Sequence, residues 1–294
     1  MLKNKKGKYA IIGAIIGLFI AVFIIKTSFL KTNENEIEHH HQIVNKIHKL
    51  PILMYHTVKD GSENNILNTK PANFKEQMDY LKEQGFVTLT PFDLEKILYE
   101  NAEVPDKAVM ITFDDGYKDN YTNAYPILKE NEMQATIFII ASRILHNNKS
   151  LEEYPDEFEK ISWEDIEEMR DFITIQNHTW DSHKIIDNGS QEGGALIVNL
   201  ENEPLALFKQ RITNDLTKAQ NTIEEKLGYP SVMIAYPYGH YNDIVIDIAK
   251  EVGLKIGTTV KSGTNQTIEN PLKLERITVD GNYTGEEIVK LIEE

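Results

Sequence analysis

From Leu50 onward the chain alternates short, unbroken apolar runs with longer stretches in which apolar residues return every three or four positions. The unbroken runs are Ile52–Tyr55, Val87–Leu89, Ala108–Phe113, Ala135–Ile140, Ile173–Gln176, Val232–Tyr236, Leu254–Thr259 and Leu274–Val279. Their length and β-branched or aromatic content predict strands, most of them buried on both faces. Helices fit between them. Thr90-Pro91 reads as a cap with Pro at the first helical position, Ser162 to Asp165 as a capping box, and Leu205–Leu227 as a long helix stopped by Gly228 and Pro230. About eight alternations of strand and helix predict an α/β barrel or an open parallel sheet. In a barrel the reactive groups gather where the strands end. The stretch Asp187–Pro204, with Gly189, Gly193 and Gly194, is long enough to form a flap over that end.

The first 49 residues follow another pattern. Lys3, Lys5, Lys6 and Lys8 precede an uncharged apolar run from Tyr9 to Ile25, closed by Lys26. This predicts a cytoplasmic basic segment over 1–8, a transmembrane anchor over 9–26, an extracellular stalk over 27–49 and an extracellular domain over 50–294 of a single-pass cell-membrane protein. A cleaved signal peptide, which would release a secreted protein, has the same charged start. Its apolar core is usually shorter, and no small-x-small cleavage pattern closes this one. Within the stalk, His39-His40-His41 lacks the fixed geometry of a metal site and reads as solvated spacer. The chain has no cysteine, which excludes a disulfide framework and a lipid-anchored Cys.

Net charge is −15, and since residues 1–26 carry five lysines and no acid, the remainder stands at −20. A nucleic-acid binder needs the opposite sign to neutralise phosphates, so no nucleic-acid partner is expected.

Four segments carry candidate chemistry, each directly after an apolar run. Val109–Phe113 leads into Asp114-Asp115-Gly116, where one acid can hold a metal while its neighbour handles a proton; alone, the triplet is also an ordinary turn sequence. Gln176-Asn177-His178 continues to His183, and Asp115, His178 and His183 together form a carboxylate and two-imidazole set suited to a catalytic divalent ion. Ala235-Tyr236-Pro237-Tyr238-Gly239 offers aromatic walls and a turn able to aim a backbone N–H at a sugar. Pro51–Tyr55 ends in His56, which alone reads as a core-edge histidine.

Together these segments resemble the polysaccharide deacetylases of carbohydrate esterase family 4. Thr112-Phe113-Asp114-Asp115-Gly116 matches that family's first motif, His178 to His183 its metal-binding histidine motif, and Tyr236-Pro237-Tyr238-Gly239 much of its third. Two departures stand out: the histidines lie five apart rather than four, and Ala235 replaces an Arg. No Leu-His pair occurs near the C-terminus. These differences look like the branch that acts on poly-N-acetylglucosamine in biofilms, in which the acid histidine comes from the first strand.

The resemblance implies a distorted (β/α) barrel and a metal-dependent N-deacetylase of an N-acetylglucosamine polysaccharide, using zinc or else cobalt, nickel or manganese. It assigns Asp115, His178 and His183 to the metal, Asp114 to the base and His56 to the acid. Tyr238, with Pro237, would serve the oxyanion. Asp181 would back the histidines, and Trp180 either stacks on a sugar or packs beneath its loop. Arg276 either orients Asp114 or makes a surface ion pair. Other substrates compatible with the motifs are peptidoglycan and chitooligosaccharides. A reading of another class is a catalytically silent surface protein that binds polysaccharide.

Overall fold

A computed structural model describes residues 49–61, 65–144, 159–186 and 194–294. The basic segment, the apolar segment 9–26, the stalk up to residue 48 and the first part of the expected flap, 187–193, lie outside the described residues. Among the described residues, no helix is long and apolar enough to cross a membrane.

Each of the eight apolar runs contains a strand: β1 Ile52–Tyr55, β2 Val87–Thr88, β3 Ala108–Phe113, β4 Ala135–Ile139, β5 Ile173–Asn177, β6 Met233–Ala235, β7 Ile256–Thr258 and β8 Ile277–Thr278. All pairings among them are parallel, in the order β7-β6-β5-β4-β3-β1-β8. Every residue of β1, β3 and β4 is buried, as expected for strands covered on both faces. The sheet curls into a half-barrel, and its seam is crossed by one parallel bridge, Thr258 to Leu274. There Leu274 N–H donates to the Gly257 carbonyl (2.8 Å) and Thr259 N–H to the Leu274 carbonyl (2.9 Å).

One strand departs from a regular barrel. β1 pairs with β3 directly, in register Ile52 to Met110 through Tyr55 to Phe113. β2 pairs only with the start of β3, on the edge that β4 takes over at Thr112. β2 is accordingly the exposed one, with Val87 about half in solvent.

The helices are α1 Pro71–Glu83, α2 Pro91–Tyr99, α3 Tyr125–Asn131, α4 Trp163–Glu168, α5 Leu205–Leu227, α6 Asp243–Glu251 and α7 Gly285–Glu293. Thr90 and Ser162 close the capping boxes that open α2 and α4, each satisfying amide groups the helix itself leaves free. In α5 the buried residues Phe208, Ile212, Leu216, Ala219, Ile223 and Leu227 make one stripe at helical spacing, and Gly228 ends it in the left-handed conformation (φ 79°). Ile185–Ile186, just before the expected flap, pairs antiparallel with Gly194–Ala195 inside it. The core lies between the strands and these helices. At the centre of one cluster Tyr55, Phe74 and Phe113 pack with ring centroids 5.3–5.7 Å apart. That cluster fixes the last residues of β1 and β3, from which two candidate site segments depart.

Candidate active site

The candidate residues come together at the C-terminal ends of the strands. His56 follows β1, Asp114 and Asp115 follow β3, His178 follows β5 and Tyr236 follows β6. Backbone hydrogen bonds extend the ladder through these residues: Asp114 N–H donates to Tyr55 (3.0 Å), His178 N–H to Ile139 (2.9 Å) and Tyr236 N–H to Thr258 (3.1 Å). Asn120 Nδ2 donates to the His56 carbonyl (2.8 Å) and pins the next residue of the first segment.

Asp115 Oδ1 is buried, accepts no hydrogen bond among the described residues, and lies 3.4 Å from His178 Nε2 and 3.1 Å from His183 Nε2. The three ligand atoms lie within 4.8 Å of one another. His178 Nδ1 contacts the Ala235 carbonyl at 2.7 Å; a carbonyl only accepts, so Nδ1 carries a hydrogen and Nε2 is the atom turned to Asp115. Burial, and next His178, lower His183 to about 4, so its ring is neutral at pH 7. Burial alone would raise the Asp115 carboxyl, but at the low pH where it titrates the positive charge on its imidazole neighbours, with the Lys160 ammonium, holds it well below the ordinary carboxylate range. Two imidazole nitrogens and one carboxylate oxygen converging in this way can all turn lone pairs to one cation. Bonds of about 2.0–2.2 Å in a tetrahedral site place ligand atoms roughly 3.3–3.5 Å apart, close to the two Asp115 separations. The donor set therefore fits a divalent ion.

Asp114 is also buried, and Arg276 grips it with both arms of the guanidinium: Nη1 to Oδ1 at 2.8 Å and Nη2 to Oδ2 at 2.7 Å. Arg276 is fully buried and its Nε donates to the Thr259 carbonyl (2.9 Å), so the surface ion-pair alternative does not hold. Burial raises the Asp114 carboxyl, and the Arg276 charge and hydrogen bonds more than offset it, leaving its pKa lowered. His56 is lowered by burial, with Asp114 and Asp115 pulling the other way. The place of the absent motif Arg is thus filled through space, while Ala235 in its position supplies a carbonyl to His178.

Backbone strain marks the same region. Among the described residues, seven other than Gly have positive φ: three are Asn, one is Glu132 at a helix end, and the others are Asp115 (74°), Thr179 (75°) and Tyr238 (56°), one in each candidate segment except that of His56. For a β-branched residue such as Thr179 this conformation is a marked outlier, and such strain collects where function requires a fixed geometry. Its N–H is met by Asn177 Oδ1 (2.7 Å), and its own Oγ1 accepts from Ser182 N–H (3.1 Å).

The remaining expected residues take different places. The Tyr238 ring lies against His183, centroids 4.4 Å apart, and is 42% exposed, following buried Pro237. Trp180 packs against the core with Lys218 Nζ 3.9 Å from its ring centroid, which favours packing over sugar stacking. The Asp181 carboxylate pairs with Lys184, and Asp215 of α5 braces the histidine loop instead, accepting N–H bonds from Trp180 (3.0 Å) and Asp181 (2.9 Å). Sequence reasoning missed Asp215 and gives Tyr117 no part in the site. Tyr117 donates its hydroxyl to Asp115 Oδ2 (2.8 Å), with buried Lys160 3.6 Å from its ring centroid. The nearest signal for Asp215 is an acid beside the apolar stripe of α5; Tyr117 stands next to Gly116 with no pattern to distinguish it.

Residues 101–257 match the protein family described as polysaccharide deacetylase. The chain is 30% identical over 237 residues to a Bacillus subtilis protein described as a candidate polysaccharide deacetylase, covering 81% of this chain and 74% of that one. It is 27% identical over 212 residues to the poly-beta-1,6-N-acetyl-D-glucosamine N-deacetylase of Staphylococcus aureus, covering 71% and 66%. The match to the Escherichia coli enzyme of the same name, at 25% identity, spans 72% of this chain but only 34% of that longer protein. Among solved structures, the Streptococcus pyogenes deacetylase PplD in complex with acetate aligns at TM-score 0.68 and 26% identity, covering 84% of this chain and 99% of that one. IcaB from Ammonifex degensii aligns at TM-score 0.70 and 25% identity, covering 84% and 97%.

Proposed function

The chain belongs to the polysaccharide deacetylase family, hydrolases of N-acetyl amide bonds, and from that premise we propose that it removes acetyl groups from poly-β-1,6-N-acetylglucosamine outside the cell. Relatives named for that polymer support the substrate. The arrangement that carries the chemistry is Asp114, held ionised by Arg276, beside the converging ligand atoms of Asp115, His178 and His183.

Asp115, His178 and His183 hold the divalent ion, zinc suiting two nitrogens and one oxygen best, with cobalt, nickel and manganese as alternatives. When bound, such an ion polarises the acetyl carbonyl and acidifies its water. Asp114 takes the proton of the attacking water, and Arg276 fixes the orientation of the carboxylate through both oxygens. The Tyr238 backbone N–H is the donor for the oxyanion. His56 gives its proton to the leaving nitrogen as the C–N bond breaks, releasing acetate and a glucosamine amine. Its lowered pKa makes the imidazolium a stronger acid, while reducing the fraction protonated at neutral pH.

With added zinc, the full 294-residue chain is expected to release acetate from poly-β-1,6-N-acetylglucosamine with kcat/KM at least about tenfold above that for peptidoglycan or chitooligosaccharides, a difference of ~1.4 kcal/mol in transition-state binding. Reversal of that order would reassign the substrate. Binding without acetate release from any of them, with zinc, cobalt, nickel or manganese, would establish the silent polysaccharide-binding reading.

The location rests on the apolar segment 9–26 behind its basic start. Protease added to intact cells is expected to digest the domain while it stays with the membrane fraction. Full protection in intact cells, with digestion only after lysis, would place the domain inside.

A further inference from the structure

Of the two histidines assigned to the metal, His178 leaves the end of β5 and is fixed by two backbone partners, whereas His183 lies five residues on, outside any strand of the sheet. Its position must come from elsewhere, and the contacts of its loop lead to one helix. Asp215, on α5, accepts N–H bonds from Trp180 (3.0 Å) and Asp181 (2.9 Å), and the Ser182 side chain is near enough to its carboxylate to lower its pKa. Four residues earlier on the same helix, Arg211 donates to the Leu196 carbonyl and to that of Val198 (3.1 Å), while Glu203 pairs with its guanidinium (2.8 Å). Leu196 in turn donates to the Lys184 carbonyl (2.8 Å), the residue after His183. Arg143 Nη2 holds the His183 carbonyl itself (2.7 Å).

We infer that Asp215 is a positioning residue for the metal site: by gathering the consecutive groups of residues 180–182 it sets where the His183 imidazole meets Asp115, and Arg211 secures the far side of the same loop. The inference rests on the reading of Asp115, His178 and His183 as ligands. Burial pushes the Asp215 carboxyl above its ordinary value even though the loop's hydrogen bonds pull it back. Asp215→Asn preserves shape, but its amide NH2 then faces a loop N–H, donor against donor. Groups that orient metal ligands in this way are typically worth 10–100-fold in metal affinity.

The test is zinc affinity by chelator competition and the visible spectrum of the cobalt-loaded protein, on the full chain, for wild type, Asp215→Asn, Ser182→Ala and His183→Ala. Expected results are zinc binding at least about tenfold weaker in Asp215→Asn, with an altered cobalt spectrum, an unfolding temperature close to wild type, and a smaller loss in Ser182→Ala. Wild-type affinity and spectrum in both Asp215→Asn and Ser182→Ala would overturn the inference. Should Asp215→Asn not fold, Ser182→Ala decides by the same readouts. A His183→Ala protein that binds zinc like wild type would overturn the ligand assignment itself, a failure distinguishable from that of the brace alone.

Discussion

Asp114→Asn is expected to reduce acetate release by a factor of roughly 1,000, within the range that a positioned acid or base contributes, while zinc affinity stays near wild type. The amide keeps the volume of the carboxyl but cannot take a proton from water. It touches none of the three ligand atoms, since Asp114 faces Arg276 through both oxygens and Asp115 alone faces the histidines. The substitution also strands a fully buried guanidinium, so a stability loss of about 3–5 kcal/mol is expected alongside it. Activity therefore has to be measured well below the unfolding temperature of the variant. Acetate release within tenfold of wild type would remove Asp114 from the role of base.

Arg276→Met is the complementary case and should shift the reaction along the pH axis. In the wild type, burial raises the Asp114 carboxyl and Arg276 reverses that, so the folded pKa lies below the ordinary one. The resulting stability is present above the ordinary carboxylate range and is lost as pH falls through the lowered value. Without Arg276 only the raising influence of burial remains dominant, Asp114 holds its proton to higher pH, and the base is inactive where the wild type works. The acidic limb of kcat/KM is expected to move upward by at least one pH unit, with stability at neutral pH down by roughly 3–5 kcal/mol. An unmoved acidic limb would make the pair a structural one. The double variant Asp114→Asn with Arg276→Met should lose less stability than the two single losses added together, because each single change strands a partner that the double removes.

Much of the barrel was legible because a buried parallel strand leaves an unbroken apolar run, and all eight runs contain one. The displaced β2 was not, since Val87–Thr88 pairs with β3 in the same parallel manner and nothing in its composition says that β4 takes over the edge. Leu274–Val279 reads as one strand yet contributes only Ile277–Thr278, because Leu274 bridges to β7 and Arg276 turns inward to Asp114. The site was readable where its residues directly follow strands: Asp114, Asp115, His178 and His56. Arg276 stood open because a lone cation in an apolar run does not reveal which way it faces. Tyr117 and Asp215 act through contacts that only the folded chain creates, the second across 34 residues from Asp181 and on a helix whose pattern explains itself without it.

The seam of the half-barrel bears on when the molecule becomes an enzyme. Asp114 and its guanidinium clamp stand 162 residues apart in sequence, and the clamp arrives with the segment that bridges back to β7. A nascent chain that has emerged only through β7 already contains His56, both aspartates, His178 and His183, but lacks the guanidinium that chiefly offsets the burial of Asp114. Competence of the proposed site is therefore expected to wait on the segment that carries Arg276, and a chain clipped before it is expected to release no acetate.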